Sequence, residues 1–434
     1  MNNYFKKFKN IVDNNLLKIG VFNSFSLFIK FIAGLISSKA LAYFIGPAGL
    51  AVCGVFREFF FMTVNVSSLG LQKGIINYSA KFKNEKKNRQ ALVDTLIIIG
   101  TVISLVMAII LFSFSKAING ALFPNYDFVF VIKILALGIP LSVFTGFYIS
   151  FINGLGYTSS IVKINASVSI FNAICIIIFT YYFGVAGALL GIVFFFITQS
   201  IAILVFKPRA TLFQLLRIPK FSIEVFKKLS GYALMTIISL CLFPFISILI
   251  RTEIIDYLGE DAAGYWEAMK RISDNYLFFA SSLVVLSVLP ELSSGKKSLK
   301  SAVLSFYGSI IPVFILGLFI LFFLRKYIVL AFYSEEFMTT TILFKWHEIG
   351  DLFRVLGLVI AANFFATRDI KGYIITDMFL AAVLYVSSMF FIERIGLEGG
   401  AFAYFLTYFL YFLLLLGYFR KKLFTKRVTT FLKI

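Results

Sequence analysis

Mostly apolar runs of about 20 or more residues recur along the chain, separated by short polar stretches. At ~1.5 Å rise per residue, such a run spans the ~30 Å hydrocarbon core of a bilayer. The pattern predicts twelve transmembrane helices, near 19–44, 49–74, 91–115, 127–153, 158–183, 186–206, 228–252, 262–289, 301–325, 341–366, 371–392 and 398–418. Ahead of them, Phe5, Phe8, Val12 and Leu16 share one helical face of residues 1–18, away from Lys6, Lys7 and Lys9. That suits either a short helix lying on an anionic leaflet or a frayed basic tail. Ala40-Leu41-Ala42 imitates a signal-peptidase site, but the apolar run before it exceeds a typical ~7–15-residue signal core, so the first span is retained.

The longest inner loop, 207–227, lies at mid-chain and reads as a linker. It would join an N-lobe (19–206) to a C-lobe (228–418), with 419–434 as a basic tail. The lobes look like copies. Ala48-Gly49-Leu50 after the first span matches Ala263-Gly264-Tyr265 after the seventh, 215 residues on. Gly184 and Gly187 in FGVAGALLG match Gly396 and Gly399 in IGLEGGAFA, 212 residues on. Six helices is an even number, so the copies keep one orientation, as in transporters built from parallel repeats that bind substrate between lobes. The predicted fold is therefore all-α: a polytopic membrane protein with two parallel six-helix lobes around a central cavity.

Composition agrees, and charge adds direction. The 434 residues are 60% hydrophobic and 14% charged, with mean hydropathy +0.93. A soluble domain is nearer half apolar and a quarter charged. The formal charge of +20 comes from 41 Lys and Arg against 21 acids. With the N-terminus inside, 27 of the 41 fall in inner segments and 5 in outer ones (Lys116, Arg251, Arg325, Lys326 and Arg394). The positive-inside rule then puts both termini in the cytoplasm. Basic residues at helix ends do not form a nucleic-acid face. Cys53, Cys175 and Cys241 have no pairing or metal spacing, so no disulfide, metal or cofactor is expected.

Nine basic residues remain inside spans. Each charge near a helix centre costs roughly 2.5–3.5 kcal/mol on insertion scales, so these face something polar. The eighth span carries Glu267, Lys270, Arg271 and Asp274, with i,i+4 and i,i+3 pairs on shared faces. They read either as a self-neutralised knot or as a hydrated wall contacting substrate or a coupling ion. The tenth span, KWHEIGDLFRVLG, puts His347, Asp351 and Arg354 on one stripe, with Glu348 beside it, paired to Lys345. His347 is the sole histidine, and its ordinary pKa of ~6.5 suits proton exchange, although packing is the commoner role. The first span has Asn23, Lys30 and Ser37 at seven-residue spacing, with Lys30 too deep to snorkel. The second has Arg57 and Glu58, with Asn65 on the face of Glu58. Lys133 and Lys163 lie near helix ends and snorkel. The N-lobe buries five basic residues against two acidic, the C-lobe four against five. Unpaired cations fit an anionic substrate group, and surplus carboxylate fits a proton or cation.

No GxxxxGK[ST] motif occurs, nor regularly spaced Arg, nor a TVGYG filter, so ATP hydrolysis, voltage sensing and that type of ion selectivity are not expected.

Five stretches carry a family resemblance: FIGPAGLAVCGVFREF, VAGALLG, YWEAMKRISDNYLFF, LPELS and FKWHEIGDLFRVLG, in this order along the chain. With them the chain resembles Wzx-type flippases of the polysaccharide-transport branch of the MOP exporter superfamily, those serving O-antigen and enterobacterial common antigen synthesis. The resemblance implies a bacterial inner-membrane transporter, not an enzyme. It would move an undecaprenyl-pyrophosphate-linked oligosaccharide from the cytoplasmic to the periplasmic leaflet through a cationic cavity. An H⁺ or Na⁺ gradient, or the membrane potential, would drive it, with a polysaccharide polymerase and chain-length regulator as further partners. The residues then sort into Lys30, Arg57, Lys270 and Arg271 for pyrophosphate, and Asn23, Asn65, Tyr265, Trp266 and Asn275 for glycan. Glu58, Glu267, Asp274, His347, Glu348, Asp351 and Arg354 would serve ion coupling. Glu58 directly after Arg57 departs from relatives and would quench it. The alternatives are a drug/cation antiporter of the same superfamily, a membrane-embedded polymerase or acyltransferase, and a scaffold without transport.

Overall fold

The computed structural model describes residues 15–208, 219–293, 295 and 297–424, without the side chains of 15–27, 231–239 and 286. Most of the expected interfacial segment, ten linker residues and the last ten tail residues lie outside it. Among the described residues every regular element is helical. In chain order these are α1 (Asn15–Ser67), α2 (Gln72–Lys81), α3 (Lys86–Ser113), α4 (Ser115–Leu122), α5 (Val129–Gly154), α6 (Thr158–Val193) and α7 (Phe195–Phe206). Then come α8 (Ile223–Leu258), α9 (Glu260–Leu283), a widened π-type turn (Val284–Val288), α10 (Leu289–Ser293), α11 (Leu299–Ser309) and α12 (Ile311–Phe332). A 3₁₀ stretch (Glu335–Ile342), α13 (Phe344–Thr367), α14 (Ile370–Ile395), α15 (Leu397–Tyr418) and α16 (Arg420–Phe424) complete the chain.

Eight helical stretches among the described residues are long and apolar enough to cross a bilayer. Two of them, Phe28–Ser67 and Thr158–Phe206, are 40 and 49 residues long, and each is bent. The bends sit at Gly46 (φ 61°) and Gly184 (φ 57°), a left-handed backbone that glycine adopts without Cβ strain. At Gly184 the chain doubles back. Asn172 Nδ2 donates to the Gly191 carbonyl at 2.9 Å, and Phe179 stacks edge-on against Phe194. α9 is not among the eight, because six of its 24 residues are charged.

Several boundaries differ from the apolar pattern. The second span stops at Ser67, where Leu69 (φ 50°) and Gly70 (φ 58°) turn the chain into α2. The ninth is split at Ile310 into α11 and α12, with Pro312 in the first turn of α12, where a missing N–H costs nothing. The eighth runs on through the π-type turn to Ser293.

The chain clusters into two units, one reaching to Phe245 and the other starting at Ile246. In the first, α1 packs along α6, and α5 gathers α2, α3 and α7. In the second, α15 packs on α13 and α14, and α9 lies on α13.

The turns repeat between halves. Gly184 (φ 57°, ψ −136°) and Gly396 (φ 70°, ψ −146°) share one conformation 212 residues apart. Three residues on, a Cβ on Gly187 would lie 1.8 Å from the Phe179 carbonyl oxygen, and one on Gly399 2.0 Å from that of Phe391. Gly156 (φ 87°) and Arg368 (φ 54°) are likewise 212 apart. Between the first two spans of each half the matching bends are Gly46 and Gly259, 213 apart, rather than Gly49 and Gly264. In that register Arg57 corresponds to Lys270 and Glu58 to Arg271.

Candidate functional site

α9 is too charged to face lipid alone, and its charges are met inside the second unit. Glu267, only 3% exposed, accepts from Arg251 Nη2 at 2.5 Å and from Arg271 Nε at 2.7 Å. Arg271 is itself buried. The apolar pattern places Arg251 at the outer end of the seventh span and counts it with the outer segments. Instead α8 continues to Leu258, and Arg251 is 0% exposed, with no acceptor for Nε or Nη1 among the described residues. The same continuation of α8 to Leu258 also brings the acids Glu253 and Asp256 into the helix. Lys270, half-buried one position before Arg271, donates to Ser247 Oγ at 2.8 Å.

A second cluster centres on Asp351 of α13, 0% exposed. Its Oδ2 accepts from Ser273 Oγ at 2.8 Å and from the Tyr276 hydroxyl, both on α9, and lies 3.3 Å from His347 Nδ1. Its Oδ1 accepts from the Tyr404 hydroxyl of α15 at 2.7 Å. Arg354 Nη1 donates to that same hydroxyl at 2.9 Å and lies 3.9 Å from Asp274 Oδ1. The His347 ring stacks on Tyr404, 4.1 Å between centroids, and Trp266 meets it edge-on at 5.8 Å. A buried carboxylate is tolerable where donors saturate its lone pairs, and here three helices supply them.

The stripe His347, Asp351 and Arg354 thus faces one network, joined by Asp274 at its half-exposed edge. Glu348 points elsewhere: it is 5% exposed, and no donor reaches Oε1 among the described residues. Its expected partner Lys345 is exposed and lies over the Trp346 ring. Trp266 is buried, packed on Gly400 and His347, so its ring is enclosed by the unit. Tyr265, half-buried, stacks edge-on with Phe337, and Asn275 is half-buried on α9.

In the first unit, Lys30 is exposed and Arg57 half-buried, near enough for their charges to interact. Glu58 and Asn65 are half-buried on the same bent helix, and the Asn23 side chain lies outside the description. Asp94 is buried and takes a hydrogen bond from Gln90 Nε2 at 2.7 Å. Lys133 lies over the Phe112 ring, 5.3 Å from its centroid.

The pattern reading misses Arg251, Ser273, Tyr276, Tyr404 and Tyr408, the last lying under Arg354 with 5.3 Å from guanidinium carbon to ring centroid. Tyr404, Tyr408 and Tyr411 recur at i, i+4 and i+7 in a span otherwise rich in Phe and Leu. That spacing marks a polar-tipped stripe toward neighbouring helices.

Residues 16–296 match the family described as "Polysaccharide biosynthesis protein". Over 422 residues the chain is 26% identical to the lipid III flippase of Escherichia coli, covering 93% of this chain and 98% of that one. The lipid III flippase of Shigella flexneri matches to the same extent. Among solved structures, an inward-facing MATE family multidrug resistance transporter of the MOP superfamily superposes with a TM-score of 0.75. It is 15% identical, over 92% of this chain and 94% of that one. The lipid II flippase MurJ, in an inward closed conformation, gives 0.67 at 15% identity, over 93% and 87%. At such identities the structural likeness speaks for the fold.

Proposed function

The chain belongs to the polysaccharide biosynthesis protein family, and from that premise we propose that it flips a lipid-linked oligosaccharide across the bacterial inner membrane. The cargo is an undecaprenyl-pyrophosphate-linked repeat unit of the O-antigen or common-antigen type, moved from the cytoplasmic to the periplasmic leaflet. The observation that carries this reading is the near end-to-end match to a lipid III flippase. The MATE-like fold is common to drug exporters and flippases and does not discriminate between them.

A diphosphate calls for neighbouring cations, and Lys30 and Arg57, near enough for their charges to interact, are its holders in this reading. Lys270 occupies the position equivalent to Arg57 in the repeat. Arg271 serves the same anion less directly, since Glu267 already engages it. Asn23, Asn65, Tyr265 and Asn275 line the path of the glycan, and Trp266 supports it from behind. Both termini lie in the cytoplasm, as the distribution of basic residues favours. Alternating access is driven by an H⁺ or Na⁺ gradient, coupled through the buried acids of the second unit. A polymerase and a chain-length regulator take the product onward.

The test is leaflet accessibility of a fluorescent lipid-linked glycan in proteoliposomes. Wild type is expected to move it, and K30A and R57A to slow it by tenfold or more. No movement by wild type refutes the function. Equal rates for wild type and K30A remove the phosphate site and leave the function standing.

A further inference from the structure

Glu348 is a buried carboxyl of the second unit that the two hydrogen-bond networks do not absorb. It lies one turn into α13, 5% exposed, and no donor reaches its Oε1 among the described residues. The groups within electrostatic reach are Asp351 on its own helix, Arg325 on α12 and Tyr276 on α9. Asp351 brings like charge. Tyr276 is committed to Asp351. Arg325 is turned onto Phe322, donating to its carbonyl at 2.7 Å and lying 4.3 Å from its ring centroid. On α15 the Tyr404 hydroxyl is also taken by Asp351. Among the described residues Glu348 therefore has no ion pair, and its buried Oε1 has no donor. An ionised carboxylate in that setting is strongly disfavoured, and the neutral acid is the form that fits.

We propose that Glu348 is the proton-carrying carboxyl of the transport cycle, an inference that rests on the flippase reading for its role but not for its chemistry. In the state seen here Glu348 holds a proton. On the orientation proposed above, α13 begins at the periplasmic side, so the proton adds to the carboxylate there. It leaves to cytoplasmic water when the cycle exposes the residue or brings a cation to it. No other bond forms or breaks. Asp351, saturated by donors, remains the fixed charge against which the neutral acid is held.

Two measurements test this on the full-length protein. In detergent at neutral pH, infrared difference spectra are expected to show the carbonyl stretch of a protonated carboxylic acid that disappears in E348Q. Absence of that band in wild type, or its persistence in E348Q, overturns the inference. The isosteric amide mimics the neutral acid, and an unfolding midpoint close to wild type checks that E348Q is folded. In proteoliposomes, an inward proton gradient is expected to raise the wild-type flipping rate severalfold, while the ratio with and without gradient falls to about 1 in E348Q. A full gradient response in E348Q overturns the inference, as does sodium-driven flipping at equal pH that E348Q abolishes. If wild type flips nothing while the infrared band is present, the flippase reading fails and the proton site stands. Normal flipping without the band removes the proton site alone.

Discussion

The triad of Arg251, Glu267 and Arg271 makes an asymmetric prediction. One carboxylate serves two guanidinium groups, and the three side chains are 4%, 0% and 7% exposed for Glu267, Arg251 and Arg271. Glu267→Gln removes the carboxylate that two buried cations share. Breaking a single buried pair costs about 3–5 kcal/mol, so this change belongs at or above the top of that range. Arg251→Met behaves differently. It leaves Glu267 paired one-to-one with Arg271 at 2.7 Å, and it removes two buried nitrogens that have no acceptor. The lost hydrogen bond is then offset in part by relieved desolvation, for a net cost of about 1–2 kcal/mol. The double variant removes Arg251 along with the shared carboxylate and should be more stable than Glu267→Gln alone. The assay is a double-mutant cycle on unfolding in detergent micelles, by chaotrope or heat, with folded fraction read from tryptophan fluorescence. Equal losses for the two single variants, or a cycle with no coupling, would refute the argument that net buried charge governs this part of the unit.

Four further outcomes follow from the same geometry. Arg368 ends α13 in the left-handed region, where its repeat counterpart is Gly156, so Arg368→Gly should stabilise by about 1 kcal/mol, read as a raised unfolding midpoint. Gly187→Ala and Gly399→Ala put a methyl within about 2 Å of backbone oxygens that cannot yield, whereas Gly417→Ala meets nothing. Monodisperse yield on size exclusion should collapse for the first two and hold for the third. Asp351→Asn replaces one of the acceptor oxygens with a donor and leaves a buried hydroxyl of α9 or α15 unmatched, at a cost of about 1–3 kcal/mol. Tyr404→Phe, which removes one donor and the Arg354 acceptor, should cost no more than that on the same assay.

Most of the fold was legible because lipid imposes a length. Runs of about 20 apolar residues announce spans, and Gly184 with Gly396 announces the repeat. Less legible was anything set by continuation beyond the apolar run. Arg251 read as a loop residue because hydropathy falls where α8 carries on to Leu258. The match of Gly49 with Gly264 slipped because Ala-Gly pairs recur, whereas only a positive φ singles out Gly46 and Gly259. The stripe on α13 was visible in its 4 and 3 spacing. Its partners were not, because a tyrosine among phenylalanines reads as apolar until its hydroxyl is placed, as with Tyr276 and Tyr404. Glu348 looked like half of an i,i+3 pair with Lys345. The exposed lysine lies over Trp346 instead, and the buried Oε1 of the acid meets no donor among the described residues.

The Arg251–Glu267 bond also bears on how the protein is made. The charges Glu267, Lys270, Arg271 and Asp274 together oppose entry of α9 into lipid by about 10 kcal/mol, too much for a segment released from the translocon alone. Arg251 stands 16 residues upstream, across the tight turn at Gly259, so its contact with Glu267 lies within a single hairpin and is available before any later segment has been synthesised. α8 and α9 should therefore leave the translocon as one laterally gated unit. A nascent chain carrying Arg251→Met should linger with α9 at the membrane surface, although the finished protein tolerates the same change. The residue that matters little to the mature fold would then decide the order of its assembly.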